Sequence, residues 1–275
     1  MKKAYITADI EGMEGVLTKF STVPGNRDYE RARKRLANDV NAAARALFDS
    51  GYDDVTVCDA HGDMENLIPE DMDTRVMLIS GAMRDSLQMQ CIERGYDCFV
   101  SFGHAGSGLN IDGVLNHCCH GGKIYNMRFN GVTMNTETVI NAAIAGYYGV
   151  PLIAVVGDAA VVREVKEFMP DAEGIVVKEG FSRYSAMSVH PKVAEDLIYN
   201  GVKKAAGHRD KIKPLDIING ETVFEIDFKD TNMADTACLI PCVERIAPRS
   251  IRYTGPAEAV FKLHELMVFR LVDTI

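Results

Sequence analysis

The chain has 275 residues, 47% hydrophobic and 25% charged, which supplies one large core, or a core with a smaller partner, and excludes wholesale disorder. Its formal net charge of −9 argues against chain-wide affinity for nucleic acid or an anionic membrane. The apolar run that opens at Ala4 ends at Asp9, too short for a secretory core, and no run is long enough to span a bilayer. Seven cysteines without a CxxC framework fit reduced thiols, so the expectation is a cytoplasmic protein. Adjacent Cys118 and Cys119 would close only a strained bridge and are read as free.

Short β-rich runs alternate with helical patterns. Residues 3–8 read as a strand. Residues 29–50 read as a helix, with Leu36, Val40, Ala43, Ala44, Leu47 and Phe48 at helical spacing and Gly51 as the stop. Strands follow at 55–58 and 76–79, a helix at 84–93 closed by Gly95, and a strand at 98–102. The stretch 103–123 is polar and glycine-rich, and a loop that long inside a compact domain is usually functional. Asn130-Gly131 marks a hairpin within 124–134. Thr136 caps a helix running to Tyr148, and 152–156, 160–169, 175–177 and 191–206 read as strand, helix, strand and helix. From about Lys211 the rhythm changes, with strands at 222–228 and 243–253 and helices at 234–240 and 256–272. The expected fold is α/β: a largely parallel sheet flanked by helices over residues 1–207, with a smaller α+β domain over 208–275.

Chemistry gathers where the apolar runs stop. The first strand ends in Asp9-Ile10-Glu11-Gly12, the second in Asp59-Ala60-His61-Gly62, the fourth in Gly103-His104-Ala105-Gly106, and the strand at 152–156 in Gly157-Asp158. In open parallel sheets, ligands bind outside the carboxyl ends of the strands, so these side chains would share one crevice. Glu137, in the first turn of its helix, is the fifth candidate ligand. Carboxylates and imidazoles together suit Zn²⁺, and a bridging carboxylate with separate histidines can hold two ions about 3.5–4 Å apart. Two Zn²⁺ against the carboxylates of Asp9, Glu11 and Glu137 leave one positive charge, which a hydroxide would neutralise.

Each residue also has a plain structural reading. A strand-terminal aspartate caps the next turn, a single histidine is more often a hydrogen-bonded structural one, and a first-turn glutamate such as Glu137 is favoured by the helix dipole alone. The joint placement of Asp9, Glu11, His61 and His104 is what favours metal. His117, inside the long loop, is a candidate general acid or base. The run His117-Cys118-Cys119-His120 cannot readily wrap one tetrahedral ion. Asp158 reads as a helix cap, and Lys178 either as a ligand for a substrate carboxylate or as a solvated lysine. No GxGxxG, GxxxxGK[ST] or GxSxG pattern follows a strand, which disfavours nucleotide binding and serine hydrolysis.

Taken together, Ala8-Asp9-Ile10-Glu11-Gly12, Asp59-Ala60-His61, Gly103-His104-Ala105, Gly113-Val114-Leu115-Asn116-His117, Glu137, Ala145 through Pro151, Val155-Val156-Gly157-Asp158 and Val177-Lys178 resemble the D-aminopeptidase family of dinuclear zinc peptidases. The chain departs from that pattern at Thr136, where the family usually has glycine, and at Cys118-Cys119-His120. The resemblance implies two Zn²⁺ per subunit bridged by Asp9, one completed by Glu11 and His61 and the other by His104 and Glu137. It implies His117 as the catalytic residue and short peptides with an N-terminal D-residue as substrates. It also implies a homo-oligomer, a decameric ring, in which the C-terminal domain helps assembly. The expected reaction is amide hydrolysis by a water activated by two metals, with His117 assisting. The alternative is a two-metal phosphoesterase or another amidohydrolase on the same scaffold, which the absence of clustered Arg or Lys near the strand-end motifs weighs against.

Overall fold

In the computed structural model, which describes residues 1–271, the chain opens with a strand, two helices and three further strands. These elements are β1 (Lys3–Ala8), α1 (Lys19–Thr22), α2 (Tyr29–Asp49), β2 (Asp54–Asp59), β3 (Met77–Ile79) and β4 (Cys98–Phe102). A hairpin of β5 (Ile124–Phe129) and β6 (Val132–Thr133) precedes α3 (Glu137–Tyr147), β7 (Leu152–Asp158), α4 (Ala159–Phe168), β8 (Glu173–Ser182), β9 (Ser185–Ser188) and α5 (Pro191–Gly207). The chain continues with β10 (Glu221–Phe228), α6 (Thr231–Ala237), β11 (Glu244–Ala247), β12 (Ser250–Pro256) and α7 (Ala257–Glu265).

A seven-stranded sheet has the order β3-β2-β1-β4-β7-β8-β9 and is parallel except for β9. Its strand order reverses at β1, which is flanked by β2 and β4. That is the switch point, where the loops leaving neighbouring strands turn apart and open a crevice. Both faces are covered, as a parallel sheet requires. Along β1, Ala4, Ile6 and Ala8 pack with Leu36 and Val40 of α2 and Ile198 and Val202 of α5. Tyr5 points the other way, toward the cluster that holds Ile140 and Ile144 of α3 and Phe261 of α7. The alternation is the two-residue period of a strand.

The second sheet is antiparallel, with order β11-β12-β10-β5-β6, so it joins strands from 124–133 to strands from 221–256. Phe224, Ile226 and Phe228 of β10 face inward, while Glu225 and Asp227 face out. Asn130 and Gly131 both take positive φ, 50° and 78°, the backbone that a two-residue hairpin turn needs.

Three local expectations are corrected. Residues 84–93 do not form one helix. They make two 3₁₀ turns, Leu87–Met89 and Ile92–Arg94, because Leu87 and Cys91 adopt left-handed φ and break the helical ladder. Residues 243–253 are not one strand but β11 and the start of β12, paired across the turn at Pro248-Arg249. Thr136 stands at the N-cap of α3, yet its hydroxyl donates to Glu164 Oε2 at 2.8 Å and accepts no bond from the first-turn N–H groups of the helix. Among the described residues, no helix is long and apolar enough to cross a membrane.

Candidate metal centre

The switch point brings β1 and β4 so close that their exit loops touch backbone to backbone. Gly12 N–H donates to Gly103 O at 2.5 Å. A Cβ on Gly103, where φ is +71°, would lie 2.0 Å from Asp9 O, and one on Gly12 would lie 2.7 Å from His104 O. Both glycines are therefore required where two ligand-bearing turns meet.

Asp9 lies between two clusters. On one side, His61 Nδ1 is 3.0 Å from Asp9 Oδ1 and 3.0 Å from Glu11 Oε2. On the other, His104 Nδ1 is 3.1 Å from Asp9 Oδ2 and 3.1 Å from Glu137 Oε2. Of the five residues in these contacts, all but His61 are at least nine-tenths buried. The candidate donor atoms of each trio, Asp9–Glu11–His61 and Asp9–His104–Glu137, lie within 4.8 Å of one another.

The far nitrogen of each imidazole is already engaged. His61 Nε2 donates to Thr22 O at 2.6 Å, and His104 Nε2 meets Thr7 Oγ1 at 2.9 Å. With the proton on Nε2, each neutral ring turns the Nδ1 lone pair toward two carboxylate oxygens, an arrangement that needs a cation or a second proton between them. Zinc bonds of 2.0–2.2 Å put neighbouring tetrahedral ligands about 3.4 Å apart, close to the contacts here. The residues fit divalent cations. Each trio also leaves part of a tetrahedron open, as catalytic sites do.

Electrostatics agree. Burial opposes protonation of His104, but hydrogen bonds to Asp9 and Glu137 outweigh it and push its pKa up to about 9. His61 is raised well above its ordinary value by Glu11 and Asp9, again against burial. Burial also works against ionisation of Glu137, yet His104 and His117 bring it down to about 2. A field that draws protons onto these imidazoles attracts a divalent cation more strongly still.

An outer layer holds the ligands. Asp59, fully buried, accepts from the backbone N–H of Asn66 and Leu67 and from the Asn66 amide, which in turn donates to His61 O. Gln88 Nε2 donates to Glu137 Oε2 at 2.6 Å, and Gln88 Oε1 accepts from Asn141 Nδ2 at 2.7 Å. The Cys119 N–H donates to Glu137 Oε1 at 2.7 Å. Lys178 is neither solvated nor open to a substrate: its buried Nζ donates to Glu11 O at 2.5 Å and Val16 O at 2.7 Å, pinning the Asp9–Glu11 turn. Burial brings its pKa down to about 8. Asp158 caps α4 through Val161 N–H and also accepts from Val114 N–H.

His117 Nδ1 donates to Leu115 O at 2.7 Å, so its Nε2 faces the site, 3.8 Å from Glu137 Oε1. Burial lowers its pKa, but Glu11, Glu137 and Asp9 outweigh burial and raise it. Cys118 and Cys119 are free thiols with their sulfurs 3.8 Å apart, and Cys119 Sγ lies 3.6 Å from the buried His264. Two cavities open over the ligands. One of about 410 Å³ is walled by Leu87, Gln88, Val268, Phe269 and Arg270, and one of about 590 Å³ by Val23, Pro24, Leu115 and Arg183. They share Glu11, His61, His117 and Cys119.

Gln88 and Arg183 carried no signal in the sequence. Gln88 sits in a segment with helical periodicity, and Arg183 in a turn far along the chain from any ligand motif.

A family model described as D-aminopeptidase matches residues 1–267. The chain belongs to the D-aminopeptidase family. Family membership and the two ligand clusters together identify a metal-dependent peptidase. A D-aminopeptidase of Bacillus subtilis (strain 168) is 29% identical over 244 residues, covering 88% of this chain and 87% of the relative. A solved structure, the Zn-dependent D-aminopeptidase DppA from Bacillus subtilis, described as a self-compartmentalizing protease, superposes with a TM-score of 0.94. It is 26% identical, over 99% of this chain and 98% of that one. The α/β fold expected from the sequence is thus the fold of this family.

Proposed function

We propose that the chain is a zinc-dependent aminopeptidase that removes an N-terminal D-residue from short peptides, using two Zn²⁺ per subunit. The observation that carries this reading is the division of the Asp9 carboxylate, with Oδ1 beside His61 and Oδ2 beside His104. One carboxylate serving two imidazole–carboxylate pairs is what a bridging ligand does. Glu11 and His61 would hold one ion with Asp9, and His104 and Glu137 the other. Ions bound there supply Lewis acidity that polarises the scissile carbonyl and acidifies a water.

His117 moves the proton. Its Nδ1–H is committed to Leu115 O, so Nε2 is the atom that takes a proton and passes it to the leaving amine. Gln88 and the Cys119 N–H hold Glu137 in orientation, and Thr7 and Thr22 fix the two ligand imidazoles. The apolar wall of Leu87, Val268 and Phe269 excludes water and receives a small side chain.

The self-compartmentalizing description of the Bacillus relative supports a homo-oligomer here, and we infer a decameric ring with residues 208–275 contributing to assembly. That segment also walls the cavity through Val268–Arg270.

Elemental analysis of the purified protein, paired with D- and L-alanine p-nitroanilides and p-nitrophenyl phosphate, tests the reading. Two zinc ions per chain with turnover of the D-anilide is the expected result. Preference for the L-anilide would remove the stereochemical assignment, and turnover of the phosphate ester alone would replace the peptidase by a phosphoesterase. The mass of the native assembly measured in solution tests the ring.

A further inference from the structure

We propose that Arg183 is a specificity residue that binds the free α-carboxylate of the leaving amino acid, making dipeptides the preferred substrates. The inference rests on the aminopeptidase reading. Arg183 lies in the turn between β8 and β9, about 66 positions beyond His117 in the chain, yet it is tied to the His117 loop from both backbone and side chain. Its carbonyl accepts from Leu115 N–H at 2.8 Å. Its Nη1 donates to Asn116 Oδ1 at 2.6 Å and to Asn116 O, and its Nε donates to the Tyr184 hydroxyl at 3.2 Å. These bonds leave Nη2 outside the clamp.

The clamp is built into the backbone. A Cβ on Gly180 would lie 1.9 Å from Asp112 O, so the hairpin can seat against the 103–123 loop only with glycine there. The guanidinium is thereby held beside the residue that precedes His117, without support from a carboxylate.

The cavity geometry assigns the direction. The larger cavity is lined by Glu11, His61, Asp63, His117, His120 and Arg183 among its titratable groups, and Arg183 is the permanent cation of that set. His117 delivers its proton to the amine that leaves, so the leaving residue lies on the side of the His117 loop. In a dipeptide the carboxyl carbon is two bonds from that amine nitrogen. A carboxylate so close to His117, in a cavity that already holds the acids Glu11 and Asp63, calls for the permanent cation of its lining, Arg183. A charge-assisted hydrogen bond from Nη2 meets that need. Longer peptides carry an amide at this point and forgo the contact. The other cavity has its own arginine, Arg270, but the apolar wall of Leu87, Val268 and Phe269 beside it suits the N-terminal side chain.

The test compares D-alanyl-D-alanine with its C-terminal amide on wild type, Arg183→Gln and Arg183→Lys. Wild type is expected to favour the free acid by about 10- to 100-fold in kcat/KM, the worth of a hydrogen bond to a charged group. Arg183→Gln should erase that preference by raising KM for the free acid about 10- to 100-fold more than for the amide, any loss of the Asn116 clamp falling on both substrates alike, and Arg183→Lys should restore part of the preference. Calorimetric titration of the free dipeptide into His117→Ala, with and without Arg183→Gln, reads binding without turnover and should show the same loss. Equal losses on acid and amide would reduce Arg183 to a prop for the His117 loop and overturn the proposal. So would a wild type indifferent to the carboxylate. A wild type that turns over neither dipeptide nor anilide would instead overturn the aminopeptidase reading, and this inference with it.

Discussion

The two sheets solve different problems with the same chain. In the parallel sheet both faces of the central strands β1, β2, β4 and β7 are buried, so their charged side chains sit at strand ends, and those that follow β1, β2 and β4 converge on Asp9. In the antiparallel sheet one face is buried and the other is wet. Inward Phe224, Ile226 and Phe228 alternate with outward Glu225 and Asp227, which Arg128 and Arg252 bridge at 2.7–2.8 Å. Acidic residues are therefore common to both sheets but differ in meaning. Those beside Asp9 have histidines as close partners and, among the described residues, no arginine ion-paired with them, so they need cations. Those on β10 already have arginines. The difference teaches that partner chemistry and burial, more than residue type, separate a metal site from a solvated charge ladder.

The sharpest way to break that comparison is Asp9→Asn. The amide keeps the shape but offers one ligand oxygen in place of two, so zinc content should fall to one ion per chain or fewer and turnover should disappear. Retention of two ions would show that Asp9 is not the bridge. Next in size, His117→Ala should keep its metal, measured by elemental analysis, and lose about 10²–10⁴-fold in kcat. A near wild-type rate would remove His117 from the reaction.

On the other sheet the largest effect should be on stability alone. Phe224→Ala, at a fully buried position, should cost about 3–5 kcal/mol in denaturant unfolding, with zinc content per folded chain unchanged. Loss of metal at that position would mean the two sheets are coupled more tightly than their separate chemistry implies. The smallest effect belongs to the ladder. Burial pushes the Asp227 carboxyl up, but hydrogen bonds led by Arg128 hold it below its ordinary value. A carboxyl depressed in the folded state stabilises above its unfolded pKa and loses that contribution as pH falls. Because these groups are partly exposed, Arg128→Ala should cost about 0.2–1 kcal/mol at neutral pH. The cost should shrink on acidification and in high salt, as thermal melts across pH will report.

Much of this was legible in order along the chain. The strands at 3–8, 98–102 and 152–156 are apolar runs stopped by acids or glycine, and the helix at 29–49 ends where Gly51 takes φ +85°. Asp9, Glu11, His61 and His104 stood out because they follow such runs. The 84–93 segment misled because its helical spacing is real, while tertiary contacts decide its path. Tyr5 donates to Gln88 O and Gln90 O there, and the Gln88 amide is needed at Glu137, so the backbone bends to serve both. Lys178 misled in the other direction: a charge at a strand end reads as solvent-facing until its two carbonyl partners are seen.

By itself the sequence determined the alternation of strand and helix and the residue types offered at each strand end, because periodicity and turn chemistry are local properties. Only the tertiary structure decided that β1 lies between β2 and β4, that one carboxylate faces two imidazoles, and that Arg183 stands beside the His117 loop. Those are contacts between segments roughly 50 to 95 residues apart, formed when burial of both sheet faces selects one strand order, and no local pattern encodes the distance between them.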